Sequence, residues 1–216
     1  MQKKPIDLII FDFDGTLTNS IPPAIDAIQS MIKELGYPYK TKEEINSYVG
    51  YGEIYLVENS IDKKDMKTIQ QAMDVYFGYY KKDGIKNVTF YPNVINTLQF
   101  LKEKKKAIIS NKRYELMKII LKDHGIEDLF IEVFGGDNAP CLKPDPCAII
   151  KITNENKIPK ERTLFVGDMT IDVETGKNAG VATCAVTYGF DPIEKLKRSN
   201  PDYLIDDFSQ LIEILS

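Results

Sequence analysis

The sequence has only one histidine, no excess of basic residues and no long apolar run. With a formal net charge of −4, the chain is a poor non-specific binder of polyanions, so we expect no nucleic-acid partner. No apolar run approaches the roughly 18 residues that a transmembrane helix needs. We therefore expect a cytoplasmic protein that does not bind a membrane.

Histidine and cysteine usage argues against two common hydrolase classes. His124 stands at the end of a helical pattern just before Gly125, with no catalytic signature around it. Ser-His-Asp and Cys-His hydrolases are therefore disfavoured. Cys141, Cys147 and Cys184 are odd in number and are not spaced like paired metal ligands, which predicts three reduced thiols.

The chain is long enough for a sizeable core. Its 216 residues are 43% hydrophobic and 28% charged, as in globular proteins. This length fits either one large domain or a main domain that carries a smaller insert.

Hydrophobic periodicity favours the second arrangement. A short apolar strand at 8–11 is followed by helical patterns at 21–35 and 41–82, with a capping box from Thr41 to Glu44 and no convincing strand. So long a helical stretch before any second strand predicts an inserted α-helical cap domain at 19–88. From residue 89 strands and helices alternate, so 1–18 and 89–216 are predicted to form an α/β core with a Rossmann-like, doubly wound parallel sheet.

Polar residues are concentrated where four of the core loops are expected to meet. The carboxyl ends of parallel strands lie at one edge of such a sheet, and the loops that follow them form its functional site. These loops carry Asp12 and Asp14; Ser110 and Asn111; Lys143 between two prolines; and Asp168 and Asp172.

This set of residues fits one kind of ligand. Several carboxylates suit a hard cation such as Mg²⁺, while a hydroxyl, an amide and an ammonium group suit phosphoryl oxygens. The four loops together therefore predict a site for a magnesium-bound phosphate.

At these same positions the sequence resembles the haloacid dehalogenase superfamily. Residues 12–17, Asp-Phe-Asp-Gly-Thr-Leu, are similar to its first motif, and the other three loops are similar to its second, third and fourth motifs. The resemblance extends over nearly the whole chain and includes a helical cap between motifs one and two. Residues 187–189, Thr-Tyr-Gly, and the pair Pro201-Asp202 are most similar to the phosphoglycolate phosphatase group.

The resemblance implies a role for each motif residue. Asp12 is the expected nucleophile, which forms an aspartyl-phosphate, and Asp14 the expected general acid and base. Mg²⁺ is expected to bind the Asp12 carboxylate, the Asp14 main-chain carbonyl and Asp168, with Asp172 in support. Phosphate is expected to contact Ser110, Asn111 and Lys143.

The substrate is expected to be a small phosphorylated metabolite. Phosphoglycolate is the first choice, and inorganic pyrophosphate, a sugar phosphate and a nucleotide are alternatives. Gly50 and Tyr51 are candidate cap contacts to it, although Tyr51 packed inside the cap is an equally open interpretation.

Other functions are less favoured by the residues. A phosphomutase would need a cap group to steer a phosphorylated intermediate, and the cap has no histidine. A dehalogenase has no use for Asp14, and a phosphate-dependent binding protein would not need the intact acids and lysine. We expect a monomer or a homodimer.

Overall fold

The structure, a computed structural model, describes residues 5–215. It divides into two compact units: the chain up to Thr18 together with the chain from Phe90 onward, and Asn19–Thr89. The predicted insert at 19–88 differs from the second unit by one residue. None of the helices within 5–215 combines the length and the apolar character of a membrane span.

The first unit is built on a six-stranded parallel sheet. Its strands are β1 (Leu8–Phe11), β4 (Lys105–Ile109), β5 (Glu132–Phe134), β6 (Thr163–Gly167), β7 (Ala182–Val186) and β8 (Tyr203–Ile205). Their order across the sheet is β5-β4-β1-β6-β7-β8. Leu8 of the central strand lies opposite Lys105 on one side and Thr163 on the other. The predicted doubly wound α/β sheet is therefore confirmed.

Helices connect these strands and cover the sheet. All four residues of β1 are buried, as expected for a strand packed on both faces. Leu8 and Ile10 belong to a core cluster that also contains Ile149 and Ile152 of the helix after β5. The helices of this unit are α5 (Val94–Phe100), α6 (Tyr114–Asp123), α7 (Cys147–Asn156), α8 (Thr170–Ala179), α9 (Ile193–Ser199) and α10 (Leu211–Leu215).

The second unit is helical. In its first helix, prolines occupy the first turn, where their missing N–H groups cost nothing, and Gly36 ends the helix with φ 71°. The predicted capping box is present: Thr41 Oγ1 accepts from Glu44 N, and Thr41 N donates to Glu44 Oε2. The helices are α1 (Ile21–Leu35), α2 (Lys42–Asn46), α3 (Glu53–Ile61) and α4 (Met66–Tyr79), followed by a π-helical turn at Tyr80–Gly84. Short strands β2 (Thr18–Asn19) and β3 (Thr89–Phe90) pair with each other.

One helix begins later than the sequence suggests. The pattern predicts a helix from Pro144, but α7 begins at Cys147. A residue before proline is disfavoured in the helical conformation, which applies to Lys143 and to Asp145. Instead the Asp145 side chain accepts a hydrogen bond from Cys147 N at 2.9 Å, which supports the start of α7.

The prediction of three reduced thiols is wrong for two of them. Cys141 and Cys147 form a disulfide, with their Cα atoms 6.1 Å apart, and only Cys184 is a free thiol. A turn closed by a hydrogen bond from Asp145 N to Leu142 O brings the two cysteines together. Sequence spacing does not reveal this turn, because it depends on how the proline-rich loop folds back.

The three cysteines should therefore differ in reactivity towards iodoacetamide. Cys184 is buried, and burial raises the pKa of its thiol to about 12, so it should react only after unfolding. Protein purified without reductant should add no label when native and one when denatured, as counted by intact-mass spectrometry. Native protein treated with dithiothreitol should add two. Three labels on denatured, unreduced protein would contradict the disulfide.

Candidate functional site

The first site loop turns back sharply after β1. Asp12 follows the strand directly, and its amide donates to Val166 O at 2.9 Å, which continues the pairing with β6. The Phe13 carbonyl then accepts from the amides of Leu17 and Thr18 at 3.0 Å. This tight turn lets Asp12 and Asp14, on either side of the buried Phe13, both belong to the carboxyl edge of the sheet.

Lys143 connects the first and fourth loops. Its Nζ lies 2.9 Å from Asp12 Oδ1 and 2.6 Å from Asp172 Oδ1, and its side chain is 2% exposed. Its backbone amide donates to Asn111 Oδ1 at 3.0 Å, which ties the lysine loop to the end of β4. Burial lowers the pKa of Lys143, but Asp12 and Asp172 raise it more, so the net shift is upward and the ammonium stays charged.

The Asp12 carboxyl group is electrostatically unusual. Burial raises its pKa from 3.8 to about 7; Lys143 opposes the shift, and the charges of Asp172 and Asp14 add to it. Asp12 Oδ1 lies 2.9 Å from the Lys143 ammonium, so the two groups form a buried ion pair. Within residues 5–215 no other group donates a hydrogen bond to this oxygen.

The Asp168 side chain lies between two chain segments, one around Gly15 and one around Gly189. It is completely buried, and its carboxylate accepts hydrogen bonds from Thr16 Oγ1 at 2.7 Å and from Phe190 N at 2.8 Å. A Cβ atom on Gly15 or on Gly189 would lie within 2.3 Å of Asp168 side-chain atoms, so neither position has room for a side chain. Gly15 also has φ 81°, which favours glycine. Burial, followed by the charges of Asp172 and Asp12, raises the pKa of Asp168 well above its usual value.

Asp172 is held in place by the first turn of α8. Its Oδ2 accepts from the amides of Asp168 at 3.1 Å and Met169 at 2.9 Å, and its Oδ1 accepts from Lys143. Because the backbone amide of Met169 donates this hydrogen bond to Asp172, the bond does not depend on the Met169 side chain.

The acids of this site fit a hard divalent cation. Asp12, Asp168 and Asp172 are buried, and each offers an oxygen within 4.8 Å of the others. One ammonium group, that of Lys143, contacts two of these three buried carboxylates. No other group of the described chain donates a hydrogen bond to Asp12 Oδ1, so buried negative charge remains for a cation to neutralise. Such ligands, all oxygen, suit Mg²⁺ better than a soft metal.

The other two predicted site residues of the first unit, Asp14 and Ser110, both contact Lys112. Asp14 is 19% exposed at its side chain, and its Oδ1 lies 3.3 Å from the buried Lys112 ammonium. Ser110 is buried, and its Oγ accepts from Lys112 N at 3.4 Å. Sequence reasoning did not single out Lys112; its only signal was its place directly after Ser110 and Asn111.

The two candidate cap residues belong to the second unit. Gly50 and Gly52 both have positive φ, 96° and 95°, on either side of Tyr51. Tyr51 is 41% exposed and its ring lies 5.2 Å from that of Tyr55. It is therefore not packed in the interior of its unit, and its contact with substrate stays a prediction.

Comparison with known proteins agrees with the motif resemblance. Residues 9–186 match the family model of haloacid dehalogenase-like hydrolases. The whole chain is 32% identical to a phosphoglycolate phosphatase of Vibrio parahaemolyticus, of which it covers 99%. A phosphoglycolate phosphatase of Psychrobacter arcticus is 36% identical over 96% of this chain and 95% of its own.

A solved structure shows the same similarity in three dimensions. It is described as a predicted phosphoglycolate phosphatase from Haemophilus somnus 129pt. It superposes with a TM-score of 0.91 at 29% identity, over 98% of each chain.

Proposed function

Since the chain belongs to the haloacid dehalogenase-like hydrolases and is a phosphoric monoester hydrolase, we propose that it is a Mg²⁺-dependent phosphatase acting through an aspartyl-phosphate. We propose phosphoglycolate as its substrate. The observation that carries the mechanism is the buried Lys143 ammonium between Asp12 and Asp172, beside Asp168. It supports the proposal because it brings the proposed nucleophile, a positive charge and the proposed cation ligands together in one buried site.

In the first step the Asp12 carboxylate attacks phosphorus. The bond from phosphorus to the leaving oxygen breaks as the new bond forms, and Asp14 gives that oxygen a proton. Lys143 and the Ser110 hydroxyl balance the charge on the phosphoryl oxygens. When bound, Mg²⁺ would be held by Asp12, Asp168 and the Asp14 carbonyl with Asp172 in support, and would neutralise this charge further.

In the second step water hydrolyses the aspartyl-phosphate. Asp14 takes a proton from the water as the oxygen attacks phosphorus, which releases phosphate and restores the Asp12 carboxylate. The partial exposure of the Asp14 side chain supports this role, because a general base for water must be reached by solvent. Asn111 is also assigned to contact the phosphate. The Oδ1 atom of Asn111 accepts a hydrogen bond from the Lys143 amide, which positions the loop that carries Lys143.

The substrate proposal rests on the relatives. Full-length similarity to two enzymes described as phosphoglycolate phosphatases favours that ester over pyrophosphate, a sugar phosphate or a nucleotide. We assign the second unit as a cap that favours small leaving groups, with Gly50 and Tyr51 as its substrate contacts. The exposed ring of Tyr51 is compatible with such a contact.

A substrate panel tests this proposal. Purified protein with Mg²⁺ should show its highest kcat/KM on phosphoglycolate, compared with pyrophosphate, glucose 6-phosphate, adenosine monophosphate, para-nitrophenyl phosphate and a phosphopeptide. A kcat/KM on the phosphopeptide that equals or exceeds every small ester would overturn the small-substrate assignment. A different small ester at the top would replace phosphoglycolate and leave the phosphatase mechanism in place.

Removing the metal provides a second test. Excess EDTA should lower turnover on the order of 100-fold or more, because the buried acids would then repel both one another and the phosphate. Added Mg²⁺ should restore turnover, and Ca²⁺ should not, since its larger and more flexible shell tolerates bidentate binding by Asp12. Full activity in EDTA would exclude the metal from the mechanism.

A further inference from the structure

A second buried lysine faces the site acids. Lys112 is 6% exposed, and its Nζ lies 3.3 Å from Asp14 Oδ1. The first buried lysine, Lys143, contacts Asp12 and Asp172. Each lysine thus contacts different acids, and the proposed general acid pairs with Lys112.

The backbone of Lys112 is held on both sides. Its amide donates to Ser110 Oγ at 3.4 Å, and its carbonyl accepts from Gly136 N at 2.8 Å. The next turn is fixed as well, because Tyr114 N donates to Asp137 Oδ1 at 2.6 Å. Because the Lys112 backbone is fixed and its side chain is buried, the ammonium group has few alternative positions relative to Asp14.

A neighbouring lysine shows what a purely structural contact would be. Lys106, in β4, the strand that precedes Lys112, is also buried, but its Nζ donates to the backbone carbonyls of Leu101 at 2.6 Å and Lys104 at 3.0 Å. These bonds tie β4 to the turn before it. Lys112, in the loop that follows the carboxyl end of β4, instead contacts the carboxylate of Asp14.

We propose that Lys112 is a positioning residue that holds the Asp14 carboxyl group in line with the leaving-group oxygen. This inference rests on the proposed function of Asp14 as general acid. An unheld carboxylate on the loop after β1 would sample several rotamers, and proton transfer requires hydrogen-bond reach. The ammonium contact selects one of these rotamers, and Lys143 does the same for the nucleophile.

The test follows from what a general acid does. A poor leaving group, such as the alkoxide of phosphoglycolate, needs a proton in the transition state, whereas para-nitrophenolate needs little. Values of kcat/KM report the steps up to formation of the aspartyl-phosphate. They should be measured for a series of esters from nitrophenyl to alkyl in Lys112→Met, with Asp14→Asn for reference.

We expect Lys112→Met to lose on the order of 100-fold in kcat/KM on alkyl esters but less than about fivefold on para-nitrophenyl phosphate. Lys112→Arg, which keeps a positive charge of similar reach, should recover much of the alkyl activity. Lys106→Met, the matched control, should leave the ratio of alkyl to aryl activity unchanged. If Lys112→Met does not fold, Lys112→Gln and Lys112→Arg supply the same comparison.

Three outcomes would overturn the proposal. They are an equal loss on all esters in Lys112→Met, a shift of the same size in Lys106→Met, and no recovery in Lys112→Arg. Failure of the proposed function would look different: Asp14→Asn itself would then show no dependence on the leaving group.

Discussion

Replacing Asp12 by asparagine should lower turnover on the order of 10⁴-fold or more, as the loss of a nucleophile does in other hydrolases. Asparagine keeps the shape of the side chain but is a poor nucleophile. Lys143 would retain Asp172 at 2.6 Å, so the fold should stay formed. The measurements are the steady-state rate on phosphoglycolate and para-nitrophenyl phosphate, and the melting temperature.

An aspartate at the other end of β1 offers a matched control. Asp7 forms an ion pair with Arg162 at the amino ends of β1 and β6, whereas the site loops follow the carboxyl ends of these strands. Asp7→Asn makes the same chemical change and should keep activity within a fewfold. Retention of more than a few per cent of activity in Asp12→Asn, in a preparation free of host phosphatase, would exclude Asp12 as the nucleophile.

Much of the α/β unit could be predicted from local sequence. The apolar runs of β1 and β6 predicted buried strands, and the polar residues after each run predicted the site loops. Once the strands are parallel, their ends must share an edge, so Asp12 and Asp168 could be placed together without any tertiary information. Lys143 could be included because the prolines on either side mark a loop before a helix.

The contacts that could not be predicted depend on long-range geometry. The Phe190 amide that supports Asp168 is a backbone group, and it has no sequence signature. The approach of Gly189 to Asp168 and the pairing of Lys112 with Asp14 join segments far apart in the chain. The Cys141–Cys147 disulfide was missed because composition predicts compartment and not the path of one loop.

Replacing Lys143 by methionine should lower turnover on the order of 10³-fold, because the phosphoryl charge and the nucleophile both lose their ammonium partner. It should also destabilise the metal-free protein by about 3–5 kcal/mol, since the buried Asp12 and Asp172 would both lose their ammonium partner. Chemical denaturation in EDTA measures the second effect without interference from bound cation.

The pH dependence of that loss has a definite sign. Folding already raises the pKa of Asp12 from 3.8 to about 7, and Lys143 opposes this shift. A carboxyl group whose pKa is higher in the folded state stabilises the fold at low pH and does so less as pH rises through that range. Without Lys143 the shift should be larger, so the Asp12 contribution to the stability difference between Lys143→Met and wild type should stay constant below about pH 7 and grow as pH rises above about 7.

A double variant separates stability from catalysis. Adding Asp172→Asn to Lys143→Met removes the buried charge of Asp172, which has lost its ammonium partner. The asparagine oxygen can still accept hydrogen bonds from the amides of Asp168 and Met169. Stability should recover by about 1–3 kcal/mol, because the cost of an unpaired buried charge is removed. Activity should not recover, since the ammonium group that meets the phosphoryl oxygens is still missing. Recovery of both together would show that Lys143 serves the fold alone, and that catalysis depends on the other groups of the site.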